Sequence, residues 1–158
     1  MEELLKPIYF EDMQIGDTAV SPARTITEAD IVNFACLTGD FNSLHTDAEF
    51  AKNSIAGQRI AHGMLVWSIS IGLNTRTPYV MAQQKQMRAM TTTELKFRKP
   101  TLIGDTVHVV QEVVEKVDTR PGSDAAKVIF KRTVYNQRGE ELIIGMVSQL
   151  VQKRGTNG

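Results

Sequence analysis

The chain contains one cysteine, Cys36, in 158 residues. No intrachain disulfide can form, which points to a reducing compartment. Cys36 stands among apolar neighbours and reads as a small buried side chain rather than a nucleophile. There is no excess of charge of either sign: Lys+Arg and Asp+Glu both number 18, for a formal net charge of zero. That balance argues against broad electrostatic capture of nucleic acid or an anionic membrane, and leaves room for a local basic patch facing one phosphorylated ligand. Long hydrophobic runs are missing too. The longest, around residues 60–73, is broken by His62, Gly63, Ser68, Ser70 and Gly72, well short of the roughly 20 apolar residues that a bilayer span needs. The first residues, Met1 to Pro7, lack the basic-then-apolar order of a secretory signal. These absences predict a cytoplasmic, soluble protein. No internal repeat, linker, Gly-rich phosphate loop, Cys/His metal cluster or Gly-x-Ser-x-Gly elbow is found. A hydrophobic fraction of 42% suits one core, so residues 1–158 are read as one domain.

What is present divides into a helical first half and a strand-rich second half. Residues 9–16 read as irregular and 17–25 as a short strand. Thr27-Glu28-Ala29-Asp30 matches a helix N-cap. Ile31, Phe34, Ala35 and Thr38 then recur at helical spacing, and Gly39 is placed to end the helix. Residues 47–53 suggest a second short helix with Phe50 turned inward. Residues 63–76 read as a longer helix, apolar on nearly every side and so buried on every side, with Ser68 and Ser70 bonding back to their own backbone. After Pro78 come four β-branched runs, at 87–97, 106–117, 125–136 and 141–151. They are separated by turn-like segments that include Pro121-Gly122 and predict an antiparallel meander. A sheet wrapped around one buried helix satisfies both halves. The tail, 153–158, is polar and expected to fray.

Two short segments carry chemistry. In Leu37-Thr38-Gly39-Asp40-Phe41-Asn42-Ser43-Leu44-His45 a carboxylate and an imidazole stand five positions apart, just past a helix end. In Ile60-Ala61-His62-Gly63-Met64 a glycine opens the apolar helix. Asp40 and His45 can exchange protons near neutral pH. The Gly63 amide, at a helix start, favours developing negative charge, and glycine leaves the approach unobstructed. This is a kit for adding water to a polarised double bond. His45 reads as the base and Asp40 as the acid after a relay, although spacing alone leaves that assignment open. Asn42 reads as a support through an Asx-turn. His62 is expected to fix the loop by hydrogen bonding, and Trp67 to be core or to narrow a ligand pocket.

These two segments, with Asp47, Phe50-Ala51 and the later Phe97-Arg98-Lys99-Pro100 and Gly104-Asp105, resemble the MaoC-like dehydratases. Within that family they are similar to the (R)-specific enoyl-CoA hydratases. The two motifs occur in order, 18 positions apart from His45 to Gly63, and the likeness covers nearly the whole chain. The resemblance implies an α+β hot-dog fold, in which an antiparallel sheet wraps a long central helix. It also implies reversible, syn hydration of a trans-2-enoyl-CoA to the (R)-3-hydroxyacyl-CoA, with Asp40, His45 and the Gly63 amide as catalytic groups. It implies a homodimer, with sites near the subunit interface, and neither metal nor organic cofactor. The chain departs from the family at Ser43, where proline is usual, and at Ile71, where well-studied hydratases carry a supporting serine.

Coenzyme A phosphates call for cations, and Arg59, Arg88, Lys96, Arg98 and Lys99 are the candidates. Two other readings compete. An acyl-CoA thioesterase of the same fold would need a carboxylate on or near the central helix, where 63–76 offers none. A non-catalytic acyl-CoA-binding or subunit-forming protein would retain Asp40 and His45 without turnover.

Overall fold

The computed structural model describes residues 5–155 apart from Thr119 and Pro121. Its frame is an antiparallel sheet of β1 (Thr18–Val20), β2 (Arg24–Thr25), β3 (Met87–Phe97), β4 (Thr106–Val117), β5 (Ala125–Tyr135) and β6 (Glu141–Gln152). The order is β1-β4-β5-β6-β3, with β2 also on β4. The four long strands lie close to the spans expected of them, and β4-β5-β6 form the expected meander. The first of the four departs from it: β3 pairs with β6 and closes the far edge. Register shifts in three of the pairings mark bulges that curve the sheet.

Inside the curve lies α4 (Gly63–Asn74). This is the hot-dog arrangement. Leu65, Val66, Trp67 and Leu73 of α4 form one buried cluster with Val107 and Val109 of β4, Val134 of β5, and Ile143 and Val147 of β6. A second cluster, Met13, Val113, Val128, Phe130 and Val151, fills the other end. Between them runs a buried polar layer. Asn74 Nδ2 and Arg132 Nε both donate to Gln111 Oε1, at 2.9 and 2.8 Å. Gln83 Nε2 donates to Gln149 Oε1 at 3.0 Å.

Several expectations need correction. α4 is not buried on every side: Met64, Ser68, Gly72 and Thr75 form an exposed stripe at helical spacing, because the sheet covers only part of the helix circumference. Cys36 is exposed. α1 (Glu28–Thr38) buries Ile31 and Ala35, and the next residue along is turned about 100° away from Ala35. Phe50 is 56% exposed, since the one-turn α3 (Ala48–Ala51) packs through Ala51 instead. The expected strand over 17–25 is split around Ser21-Pro22: Ser21 still bonds Val109 through its amide, but proline has no N–H to continue the ladder. A helix that the periodicity did not reveal, α5 (Pro78–Gln83), starts at a proline and is capped by Thr77. Of the expected fraying tail, Lys153 and Arg154 are tied back through their amides to the Asp124 carbonyl and the Glu11 carboxylate; residues 156–158 lie outside the described residues, as does Pro121 of the expected turn. No helix among the described residues is long and apolar enough to cross a membrane.

Candidate active site

The loop between α1 and α4 is built by local capping. Thr27 accepts from the Asp30 amide while the Asp30 carboxylate accepts from the Thr27 amide, which starts α1. Gly39 ends it in the left-handed region, φ 76°, with its N–H on the Ala35 carbonyl. The chain therefore turns out of the helix just before Asp40. Asn42 Oδ1 accepts from the Leu44 amide at 2.9 Å, the Asx-turn expected of it, and starts the single turn α2 (Ser43–Thr46) that carries His45. Asp47 then caps α3.

This loop is clamped to the segment that leads into α4. His45 Nδ1 lies 2.8 Å from the Ile60 carbonyl oxygen. A carbonyl only accepts, so Nδ1 carries the proton and, in the neutral ring, the Nε2 lone pair is left free. The Ile60 segment is itself held on both sides: its amide donates to the Leu44 carbonyl, and the Ala61 amide donates to the Thr101 carbonyl at 2.9 Å. His62, 2% exposed, places Nε2 3.0 Å from the Asp40 carbonyl oxygen, so it donates there and fastens the loop to the start of α4. Its ring lies 3.8 Å from that of His45, centre to centre, and 5.0 Å from that of Phe34. The remaining nitrogen, His62 Nδ1, is buried with no hydrogen-bond partner.

Gly63 is the first residue of α4. His62 makes no side-chain cap, and the first turn holds no acidic residue, so the first-turn amides and the positive end of the helix dipole are left for a ligand. A Cβ at Gly63 would stand 2.5 Å from Phe97 Cε1, so only glycine lets the Phe97 ring lie against the helix start. Two cavities meet at His45 and Gly63. One, of about 330 Å³, is lined also by Ile60, Phe97, Arg98 and Lys99. The other, of about 280 Å³, adds Phe34, Asp40, His62 and Met64. One donor atom each from Asp40, His45 and His62 lies within 4.8 Å of the others.

The structure thus brings Asp40, His45, His62 and Gly63 together around one cavity, with Asn42 lining neither cavity and shaping the turn that carries His45, and it sorts the other candidates. Among the cations, Arg98 and Lys99 line the larger cavity, with the Lys99 ammonium paired to Glu140 at 2.8 Å, and Lys96 lines neither cavity. Arg59 is held by both Glu28 oxygens, at 2.8 and 2.6 Å, and Arg88 faces Asp124 at 3.7 Å. Ser68 and Ser70 spend their hydroxyls on the Met64 and Trp67 carbonyls, so neither stands in for the serine that Ile71 replaces. Trp67 is 4% exposed; its ring lies on Gly145 and lines neither cavity, which makes it core and not a pocket wall. Phe97 and the clamp through Ile60 and Thr101 were not foreseen. Both depend on contacts between segments far apart in the chain.

Residues 12–134 match the MaoC like domain. The chain belongs to the MaoC-like dehydratase family. It is 36% identical over 148 residues to an (R)-specific enoyl-CoA hydratase of Rhodospirillum rubrum, covering 93% of this chain and 94% of the relative. It is 38% identical over 117 residues to a 3-hydroxybutyryl-CoA dehydratase of Methylorubrum extorquens, covering 73% and 70%. It is 44% identical over 102 residues to the protein MaoC of Klebsiella aerogenes; that match takes in 64% of this chain and spans 29% of the longer protein. Among solved structures, a monoamine oxidase regulatory protein of Archaeoglobus superposes with a TM-score of 0.86 at 42% identity over 94% of this chain and 96% of that one. A MaoC-like dehydratase from Rhodospirillum rubrum gives 0.82 at 28% identity over 93% and 98%.

Proposed function

We propose that this MaoC-like protein hydrates a trans-2-enoyl-CoA reversibly to an (R)-3-hydroxyacyl-CoA, in the cytoplasm. The observation that carries the reading is the convergence of Asp40, His45 and the uncapped Gly63 helix start where two cavities meet. The names of the relatives support the same substrate class.

In this mechanism the thioester oxygen lies at the Gly63 amide. The helix dipole and free N–H polarise the conjugated double bond and hold the enolate that forms. A water molecule rests between Asp40 and His45. As its oxygen bonds to C3, one of its protons passes to His45 Nε2, the nitrogen left bare by the Ile60 hydrogen bond. That proton is relayed through the Asp40 carboxylate to C2, collapsing the enolate and restoring both side chains. Water supplies the hydroxyl and the hydrogen, so nothing is oxidised or reduced. Asn42 and His62 act by position, one shaping the α2 turn and the other holding the Asp40 backbone. Arg98 supplies the positive wall for the coenzyme phosphates, with Lys99 beside it on the same cavity but paired to Glu140. No metal or organic cofactor takes part in this scheme.

The test is loss of enoyl-thioester absorbance when purified protein meets crotonyl-CoA, before and after dialysis against a chelator. Rapid loss that survives the chelator is expected. Binding of the thioester without turnover would favour the subunit or carrier reading. Release of free coenzyme A would favour a thioesterase, for which α4 offers no Asp or Glu.

The protein is further proposed to form a homodimer through β3. That strand is a sheet edge of 11 residues with almost every residue exposed, and Met87, Met90 and Phe97 are 43–55% exposed. The register shifts of the β3–β6 pairing bend this edge, but its outward N–H and C=O groups have no strand partner among the described residues, and a long unpaired edge invites strand pairing. Pairing there would cover Phe97 and place the partner beside the cavities. Light scattering after size exclusion is expected to give twice the chain mass for the native protein, and the monomer mass after Ala89→Lys with Thr93→Lys. A native monomer would remove the dimer from this reading.

A further inference from the structure

Arg132 is the one arginine of the sheet interior, and nothing in the mechanism uses it. It projects from β5 toward α4 and is 5% exposed. Its Nε donates to Gln111 Oε1. Among the described residues no carboxylate lies within ion-pair distance of it. Burial pushes its guanidinium down to about 10, so it stays charged at neutral pH. Its neutral neighbours are Gln111 and the Phe130 ring, 5.9 Å from the guanidinium carbon, and a buried charge without a counter-charge costs several kcal/mol.

Arg132 opens into a cavity of about 210 Å³ that is separate from the two around His45. The walls are apolar on one side, from Ile71, Val80, Met87 and Met90, and amide-bearing on the other, from Asn74 and Gln149. Asn74 Oδ1 is buried in the same wall without a hydrogen-bond partner; being an acceptor, it suits a donor elsewhere on the ligand or a water, while the carboxylate falls to Arg132 alone. The space lies below the usual size of a drug-sized ligand pocket. A guanidinium fork matches the two oxygens of a carboxylate, and apolar walls suit a short carbon body better than a hydrated inorganic anion.

We propose that this cavity, between the C-terminal half of α4, α5 and the start of β3, is a carboxylate-binding site in which Arg132 holds the carboxylate and Ile71, Val80, Met87 and Met90 enclose its short carbon body. The site stands beyond the hydration reading and does not require it. The carboxylate has two possible sources, a free small acid or the far end of an acyl chain that itself ends in a carboxylate.

Thermal unfolding of the native protein with butyrate or succinate, against chloride at equal ionic strength, tests the site. At a hundredfold excess over Kd, linkage predicts a rise of about 5 °C or more. Two variants are compared. Arg132→Met removes the charge at similar length, and Val80→Phe fills the cavity while keeping the arginine. Both are expected to abolish the rise, and either one folding well is enough for the comparison. A second arm measures hydration kinetics in the same variants, with crotonyl-CoA and with an enoyl-CoA whose chain ends in a carboxylate. A free acid as the source gives the thermal rise with equal kinetic losses for both thioesters. The chain end as the source gives a loss of tenfold or more in kcat/KM for the carboxylated thioester alone. The proposal is overturned if neither the thermal rise nor the substrate preference depends on Arg132 and Val80. An inactive native protein that still shows the thermal rise would sink the hydratase reading and leave this site standing.

Discussion

Asp40→Asn and His45→Gln are each expected to lower crotonyl-CoA hydration by about 10²- to 10⁴-fold, the usual weight of one positioned proton-transfer group. The loss falls on kcat, because both groups act on the water and on C2 and not on the coenzyme. His45→Gln still presents a donor that can reach the Ile60 carbonyl, so the clamp seen at 2.8 Å survives while the basic Nε2 is gone. If the two residues serve one relay, the double variant is scarcely worse than the poorer single variant, since groups that act as a unit are strongly non-additive. His62→Phe provides the contrast. It removes the hydrogen bond to the Asp40 carbonyl but keeps a ring in the stack, so a smaller loss in kcat with a lowered Tm is expected. Steady-state kinetics of the four variants decide the matter. Full turnover in Asp40→Asn or in His45→Gln would break the proposed relay.

Gly145→Ala is expected to destabilise the protein by about 3 kcal/mol, near the top of the usual range for overpacking. Gly145 sits on the inner face of β6, and a Cβ there would run into the Trp67 ring, meeting Cη2 and Cζ3 and coming within 3.0 Å of Cζ2. The ring cannot yield: Trp67 is 4% exposed and shares its cluster with Val109, Val134 and Val147. For a chain of this length the cost corresponds to about 6–12 °C in Tm. The clash is pairwise, so placing Gly145→Ala on a Trp67→Phe background should recover more than about 1 kcal/mol of the loss. Denaturant unfolding of the single and double variants measures that coupling. Strictly additive costs would mean that the sheet, and not the indole, absorbs the new methyl group. The same contact explains how the helix is seated, because the bare backbone at Gly145 lets the largest side chain of α4 lie against the sheet.

How much was legible in the sequence depended on how local the cause was. Thr27, Gly39 and Asn42 act on residues two to four positions away, so the end of α1 and the turn that carries His45 could be read directly. The four long strands were visible through β-branched alternation, and Gly63 as the start of α4 through the apolar run behind it. Two errors arose from short apolar patches. Cys36 and Phe50 look buried in sequence, yet α1 and α3 touch the core through Ile31, Ala35 and Ala51. Burial depends on which side of a short helix meets the core, and a few residues do not set that phase.

What the sequence by itself determined, then, was the order and kind of the main elements, and the pairing of an Asp/His loop with a glycine-led helix. Tertiary structure alone decided the rest. It moved β3 beside β6, brought Phe97 over Gly63, and fixed which nitrogen of His45 is free through the Ile60 carbonyl. It also put Arg132 and Gln111 with Asn74 into one polar layer. Each of these joins residues far apart in the chain. Their meeting is set by sheet register and curvature, which follow from the packing of the whole core and from no single stretch of residues.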